Sequence, residues 1–313
     1  MLNNSSILLC DLGGTHARFA RLMKQGTYDN FRKYRLNDFD SFEEIITRYL
    51  NDSMLQFDNT RFASARAAVD GRIQYKRHAG DPDYIIDFKA LKDHFKWSEL
   101  KVLNDLEAGT LGLPLLDASQ TQTLLPATEK PWNAKRLLIS VGTGIGHSGI
   151  HNTSVLETPG GHWLPITVTE EHQKLAAFLR DKKDSNFALI MEDFVSGHGL
   201  RDIAGFISGN DYNAMSPEIF LQDLQNHPEA VRLFFEFLGL YANTLTAVTG
   251  YYGGIYLTGG VIDNLVKHDL TDWNAFEAYY RPNMVQSVNH RLNGSAVQYV
   301  LDEELPLLGL TSL

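Results

Sequence analysis

The strongest constraint on this chain is a strand, glycine turn, strand unit that occurs twice. Ser6 to Asp11 is an apolar run that enters Gly13-Gly14, and His16 to Met23 leaves it; Arg136 to Val141 enters Gly142-Thr143-Gly144, and Ile145 to His151 leaves it. Short apolar runs bounded by glycine read as strands, since a buried strand needs a continuous run and glycine supplies the freedom of the turn. Tyr28 to Tyr34 follows across Lys24-Gln25-Gly26 as a third strand, giving an antiparallel meander. Ser41 and Glu44 make a capping box, and Phe42, Ile45, Ile46 and Tyr49 recur at helical spacing, so a helix crosses back over the sheet.

The pattern continues with a strand over Phe62 to Val69, a short helix over Phe88 to Phe95, and a strand over Leu100 to Leu103 ending at Asn104-Asp105. From about residue 111 it begins again. The duplication has no short fixed period, which predicts two related domains rather than a solenoid. A length of 313 residues, near the size at which single cores stop growing, predicts the same two lobes with a cleft. The middle of the second half reads as loop-rich. Pro217 to Tyr252 reads as helical, with Leu221, Leu224, Val231, Phe234, Phe235, Leu238 and Tyr241 as its apolar stripe. Gly254 to Leu257 is then a strand that meets Gly259-Gly260 and another helix.

Charge and composition remove several functions. A net charge of -10, with no run of Lys and Arg interleaved with aromatics, argues against nucleic acid as a partner. No stretch approaches the roughly 18 apolar residues of a spanning helix, so no membrane role is expected. The opening MLNNSSILLCDLGG lacks the positive region of a signal peptide, and a cytoplasmic location is expected. Cys10 is the single cysteine, which excludes an internal disulfide, a CxxC pair and a thiolate cluster.

Five short motifs carry the chemistry, and each has a plain structural reading beside it. Asp11-Leu12-Gly13-Gly14-Thr15 can cradle a phosphate on backbone N–H groups, with Asp11 near Mg²⁺; by itself it is a decorated hairpin turn. Gly144-Ile145-Gly146-His147-Ser148-Gly149 satisfies GxGxxG, but the residues after it have no helical period, which argues against a dinucleotide fold and an NAD-dependent oxidoreductase. No Gly-Lys pair exists to make a Walker A loop. Asn104-Asp105-Leu106-Glu107 reads as a helix cap with a capping box, and equally as a carboxylate at a strand end able to take a proton from a substrate hydroxyl. Gly160-Gly161-His162, with Glu157 upstream and Glu192 further on, offers side chains suited to sugar hydroxyls, although such residues are more often structural. Leu257-Thr258-Gly259-Gly260-Val261 is a tight strand-to-helix turn that could also pack against a nucleobase and ribose.

In the order Asp-x-Gly-Gly-Thr, Asn-Asp, Gly-Thr-Gly-x-Gly, Gly-Gly-His, Glu-x-x-x-Ser-Gly and Gly-Gly, from Asp11 to Leu307-Leu308-Gly309, the chain resembles the bacterial glucokinase family. The resemblance implies an α/β fold of two ribonuclease-H-like (actin-like ATPase) domains flanking a cleft. Residues 1–110 with about 300–313 would form the smaller domain and 111–299 the larger. It implies ATP and Mg²⁺, with Gly13, Gly14 and Thr15 in the first phosphate loop, Asp11 near the metal, Gly142, Thr143 and Gly144 in the second loop, and Gly259 and Gly260 in the adenosine turn. Asp105 would be the catalytic base, with Asn104, His162 and Glu192 as sugar ligands, in a homodimer that phosphorylates the 6-hydroxyl of glucose.

Three positions depart from the family pattern. Pro159 stands where the family carries the glutamate before Gly-Gly-His, with Glu157 two positions earlier as the candidate replacement; position 16 is His instead of Asn; and Asp81-Pro82-Asp83-Tyr84 replaces a Thr-Asn-containing segment. The acceptor half therefore matches less well than the ATP half, which keeps another hexose or an amino sugar as an alternative acceptor. The rival from another class is a non-catalytic sensor on the same fold. Related repressors carry a helix-turn-helix before the first phosphate loop, and only ten residues precede Asp11 here.

Overall fold

The strand β1 (Ile7–Leu12) is buried from Leu8 onward, as its apolar run requires of a central strand. It pairs antiparallel with β2 (His16–Lys24), which pairs antiparallel with β3 (Thr27–Arg35), so the predicted meander is present. Helix α1 (Phe42–Ser53) opens on Ser41, whose Oγ accepts from Glu44 N at 3.1 Å while Glu44 Oε2 reaches back to Asp40 N. The chain then enters β4 (Asn59–Ser64), a small hairpin of β5 (Arg72–Tyr75) and β6 (Tyr84–Asp87), α2 (Phe88–Phe95), β7 (Glu99–Asn104) and α3 (Asp105–Gly112). The main sheet runs β3-β2-β1-β4-β7, with β1, β4 and β7 parallel.

This computed structural model describes residues 6–65, 68–75, 84–156 and 160–313. The chain divides into two units, Met1–Asp117 with Asp302–Leu313, and Ala118–Leu301.

The second unit repeats the sheet. Its elements are β8 (Thr121–Leu125), β9 (Arg136–Val141), β10 (Ile145–His151), β11 (Ser154–Leu156), helices α4 (Glu170–Lys182), α5 (Gly197–Ser208), α6 (Pro217–Leu224) and α7 (Pro228–Thr249), then β12 (Ile255–Thr258), α8 (Gly260–Lys267), α9 (Trp273–Tyr280), α10 (Gln286–Asn293) and β13 (Val297–Val300). The order β11-β10-β9-β12-β13 has the directions of the first sheet, with β8 added antiparallel on the edge. The last helix, α11 (Leu305–Leu310), returns to the first unit and packs on α3 through Gly309, where a Cβ would lie 1.6 Å from Ala108 O.

Three expectations need correction. The strand placed over Phe62 to Val69 is β4, because its polar start is satisfied inside the sheet: Thr60 Oγ1 donates to Leu8 O at 3.2 Å and the Arg61 guanidinium donates to Leu310 O at 2.8 Å. The helical stretch from Pro217 is two helices, since Pro228 has no N–H to continue α6 and instead starts α7 at its first turn. The loop-rich middle contains α4 and α5, capped by the Thr169 and Ser196 hydroxyls. The core of the second unit surrounds α7, whose Phe234, Phe235, Phe237, Leu238 and Tyr241 are fully buried. A helix that is apolar nearly all round belongs inside a larger domain, and α4 and α5 supply the cover.

Candidate active site

In the first unit the parallel strands end level with one another. Leu12 of β1 pairs with Ser64 of β4, and Ser64 pairs with Asn104 of β7, so Gly13-Gly14, Ser64 and Asn104-Asp105 emerge at one edge of the sheet. Open α/β sheets place their chemistry at this carboxyl edge. Asp11 is 3% exposed, and its Oδ2 accepts from the Arg18 guanidinium at 2.9 Å. The two residues are register partners across the hairpin, so the pairing follows from the turn itself. Burial lifts the Asp11 carboxyl above its usual range, against the pull of Arg18.

Asp105 is the first residue of α3, and Asn104 is its cap. Asn104 Oδ1 accepts from Leu106 N at 3.0 Å, and Glu107 Oε2 accepts from Asn104 N at 3.1 Å, so the capping box is real. Burial pushes the Asp105 carboxyl up to about 6; the nearby Asp11 charge adds to the rise, and the hydrogen bond from Leu106 N, 2.8 Å from Oδ1, opposes it. His16, beside the first glycine turn, is held below its usual range by burial and then by Lys33, Arg18 and Arg35. The three cations add to the effect of burial against Asp38, and their charge near the turn suits an anion. Thr15 is exposed, and its carbonyl accepts from Leu36 N at 2.9 Å.

In the second unit Gly142, Thr143, Gly260 and Val261 line one cavity of about 330 Å³, together with Gly197, His198 and Arg201 of α5 and Pro217, Phe220 and Leu221 of α6. The volume lies in the range of small-molecule sites. Gly142 O accepts from Gly197 N at 2.8 Å, tying the turn between β9 and β10 to the start of α5. The N-termini of α5 and α8 both open into this cavity, and the positive end of a helix dipole attracts phosphate. On the other wall Phe220 and Leu221 give an apolar surface, with the Arg201 guanidinium 4.5 Å from the Phe220 ring. Gly259 is at φ +103, and a Cβ there would lie 2.6 Å from Val141 O. Only glycine lets the turn that opens α8 close against the end of β9.

Strand β10 follows Gly142-Thr143-Gly144 directly, so the helix that a GxGxxG fingerprint needs is absent and the dinucleotide reading falls. Glu192 Oε2 accepts from Ile145 N at 3.0 Å, Gly161 N donates to Ile145 O at 3.3 Å, and Glu192 N donates to Gly161 O at 3.2 Å. The Gly160-Gly161-His162 loop and Glu192 are thus fastened to the exit of the second glycine turn, with His162 exposed. Glu192 holds this loop to the glycine turn through both its carboxylate and its backbone. Glu157 and Pro159 lie outside the described residues, as do Asp81, Pro82 and Asp83.

Sequence reasoning missed Arg18 and the α5–α6 wall. The first had a signal, because a hairpin through Gly13-Gly14 sets Asp11 opposite Arg18. The wall had little, since Arg201 and Phe220 reach the glycine turns only after two helices have folded over the sheet.

Comparisons with known proteins agree with this geometry. The family model described as glucokinase matches residues 8–311. The chain is 29% identical over 271 residues to the bifunctional protein glk of Paraburkholderia xenovorans, covering 82% of this chain and 41% of that one. It therefore spans about two fifths of the length of such bifunctional relatives. It is 24% identical over 311 residues to a glucokinase of Erwinia tasmaniensis, covering 92% of this chain and 94% of the relative. In fold it is similar to the glucokinase crystal structure from an Antarctic psychrotroph, with a TM-score of 0.81 at 22% identity and 98% of each chain covered.

Proposed function

The chain belongs to the glucokinase family, and from that premise we propose that it transfers the γ-phosphoryl group of ATP to the terminal hydroxymethyl oxygen of glucose or a closely related hexose. The observation that carries this reading is Asp105, a carboxylate at the carboxyl edge of the first sheet whose burial and neighbouring Asp11 raise it to about 6. A base of that strength is ionised at neutral pH and accepts a proton better than an ordinary aspartate.

The steps are those of an in-line displacement. Asp105 takes the proton of the sugar hydroxyl as its oxygen bonds to the γ-phosphorus, and the bond to the leaving ADP oxygen breaks. Gly13, Gly14 and Thr15, in the positive field of Arg18, Lys33 and Arg35, and Gly142, Thr143 and Gly144 offset the phosphate charge. The nucleoside occupies the cavity between Gly259-Gly260 and Phe220-Leu221. Asn104, His162 and Glu192 are the acceptor ligands in this reading, with Glu157 as the replacement for the glutamate that Pro159 displaces.

Mg²⁺ fits on limited terms. Among the described residues no three His, Cys, Asp or Glu side chains gather to hold a metal, and Asp11 is already bonded to Arg18. Since Mg²⁺ keeps most of its waters and rides on nucleotide phosphates, Asp11 would hold it through water. The bound ion would neutralise phosphate charge.

No helix among the described residues is long and apolar enough to cross a membrane. A cytoplasmic homodimer that takes small sugars, and no nucleic acid, completes the proposal. The test is coupled ADP release with glucose, N-acetylglucosamine, mannose, fructose and an anhydrosugar against a no-sugar control. Glucose-dependent release is expected; release independent of every sugar overturns the kinase reading.

A further inference from the structure

The second unit carries another cavity, of about 490 Å³, where the connection 126–135 meets α10. Trp132 is 54% exposed at its mouth, yet the backbone on both sides of it is pinned. Thr128 N and Glu129 N donate to Asn293 O at 2.9 and 3.3 Å. Asn133 donates to Gly250 O at 2.9 Å and accepts from Lys135 N at 3.0 Å and Tyr252 N at 3.3 Å. An indole held into solvent by a fixed loop keeps apolar area wet and gains no packing from it. Such a ring is a preformed platform.

Arg291 lies against this platform, its guanidinium 4.5 Å from the Trp132 ring and 5.9 Å from the Tyr252 ring. Its Nε is buried with no hydrogen-bond partner, and no carboxylate pairs with it among the described residues. The nearest acid of the cavity, Glu129, instead faces His290, with Oε2 3.5 Å from Nδ1. The guanidinium lines the cavity with no carboxylate on it among the described residues, and an unpaired cation at a cavity wall suits an anion. Gln286 and Asn293 add amide groups that suit hydroxyls.

We propose that this cavity binds a phosphorylated hexose. The C–H face of the pyranose lies on the indole face that Arg291 leaves open, its hydroxyls meet Gln286 and Asn293, and its phosphate meets Arg291. A neutral sugar leaves the guanidinium unmatched, inorganic phosphate leaves the indole unused, and a nucleotide offers a base where the amides want hydroxyls. The site is separate from the Gly142–Gly260 cavity, and its occupancy is read without turnover.

Calorimetric titration of the full chain with glucose 6-phosphate, glucose, inorganic phosphate and AMP tests this. Saturable glucose 6-phosphate binding that Trp132→Ala removes is expected, with the Trp132-dependent binding of each of the other three at least about tenfold weaker, the effect of losing one charge-assisted bond or one stacked ring. Trp132→Ala and Arg291→Met should each remove that binding without changing the melting temperature or glucose-dependent ADP release, whereas Trp132→Phe and Arg291→Lys should retain it. Saturating glucose should also leave it in place, which separates the site from product bound at the catalytic edge. Absence of any saturable glucose 6-phosphate binding that Trp132→Ala removes, or Trp132-dependent binding of phosphate alone that is equally tight or of AMP that is tighter, would each overturn the proposal.

Discussion

The first glycine hairpin, between β1 and β2, and the second, between β9 and β10, sit in sheets of the same strand order and direction, yet their surroundings differ. The first turn is lined by charge: Asp11 and Arg18 pair across it, and Lys33 and Arg35 stand on the next strand. The second is lined by backbone and cavity, with Gly142 tied to Gly197 and Glu192 holding Ile145 N. In the first unit one helix, α1, connects β3 to β4; in the second, α4 to α7 lie between β11 and β12. The inserted helices supply the α5 N-terminus and the apolar wall of α6 that the first turn lacks. A duplicated scaffold can thus keep acid–base chemistry in one copy and build a nucleotide-sized cavity in the other.

The sharpest test of that division is Asp105→Asn, expected to lower kcat by about 10²–10⁴, the range for losing a positioned acid–base group. Nucleotide affinity, measured by titration, should stay within about twofold, because the cavity belongs to the other unit. Equal losses in both would break the comparison.

Next in size is a pair of glycine substitutions. Gly259→Ala combines φ +103 with a Cβ 2.6 Å from Val141 O, whereas a Cβ on Gly14 would meet nothing within 4 Å. Gly259→Ala should cost at least about 2 kcal/mol and lower the melting temperature by roughly 5 °C or more. Gly14→Ala should stay within about 0.5 kcal/mol. Similar melting curves for the two would show that the turns are equally crowded.

Asp105 leads the pH dependence, and the buried Asp11, also raised, adds to it with the same sign. The folded Asp105 value of about 6 lies above the ordinary aspartate value of 3.8, so activity should fall about tenfold per pH unit below about 6 as the base becomes protonated. For stability the sign is reversed from that of a salt-bridged aspartate. Between about pH 4 and 6 the folded chain holds a proton that the unfolded chain has lost, so stability declines as pH rises through that window. Asp105→Asn removes the Asp105 share of the decline, and should be the more stable protein at pH 8 by up to about 3 kcal/mol while matching it near pH 4. Melting curves at the two pH values decide it; a destabilised variant at pH 8 would mean that the carboxylate is better compensated than its burial implies.

The smallest effect is expected at Thr143, exposed at the rim of the second cavity. Thr143→Val should raise the ATP KM about three- to tenfold with an unchanged melting temperature. An unaltered KM would take its hydroxyl out of the phosphate contacts.

Much of this protein was written in local sequence. The meander, the Ser41–Glu44 cap, the two glycine turns, the end of β7 at Asn104-Asp105 and the repeat of the sheet all follow from residues a few positions apart, because alternation, capping and turn chemistry are short-range. Two errors came from the same reasoning. β4 begins with the polar Asn59, Thr60 and Arg61, whose satisfaction depends on Leu8 and Leu310, and the helical reading from Pro217 did not locate the break before Pro228.

Chemistry at a distance was decided only by tertiary structure. Nothing near Asp105 in the chain announces a carboxyl raised to about 6, since the shift comes from burial under the folded edge and from Asp11, which lies on another strand. The cavity has the same origin: Arg201, Phe220 and Gly260 meet because four helices fold over a sheet whose pairing the sequence already implied. Sequence determined the residues that could act and the strands that carry them. The environment that gives those residues their strength is long-range burial and charge, which exist only once the chain is packed.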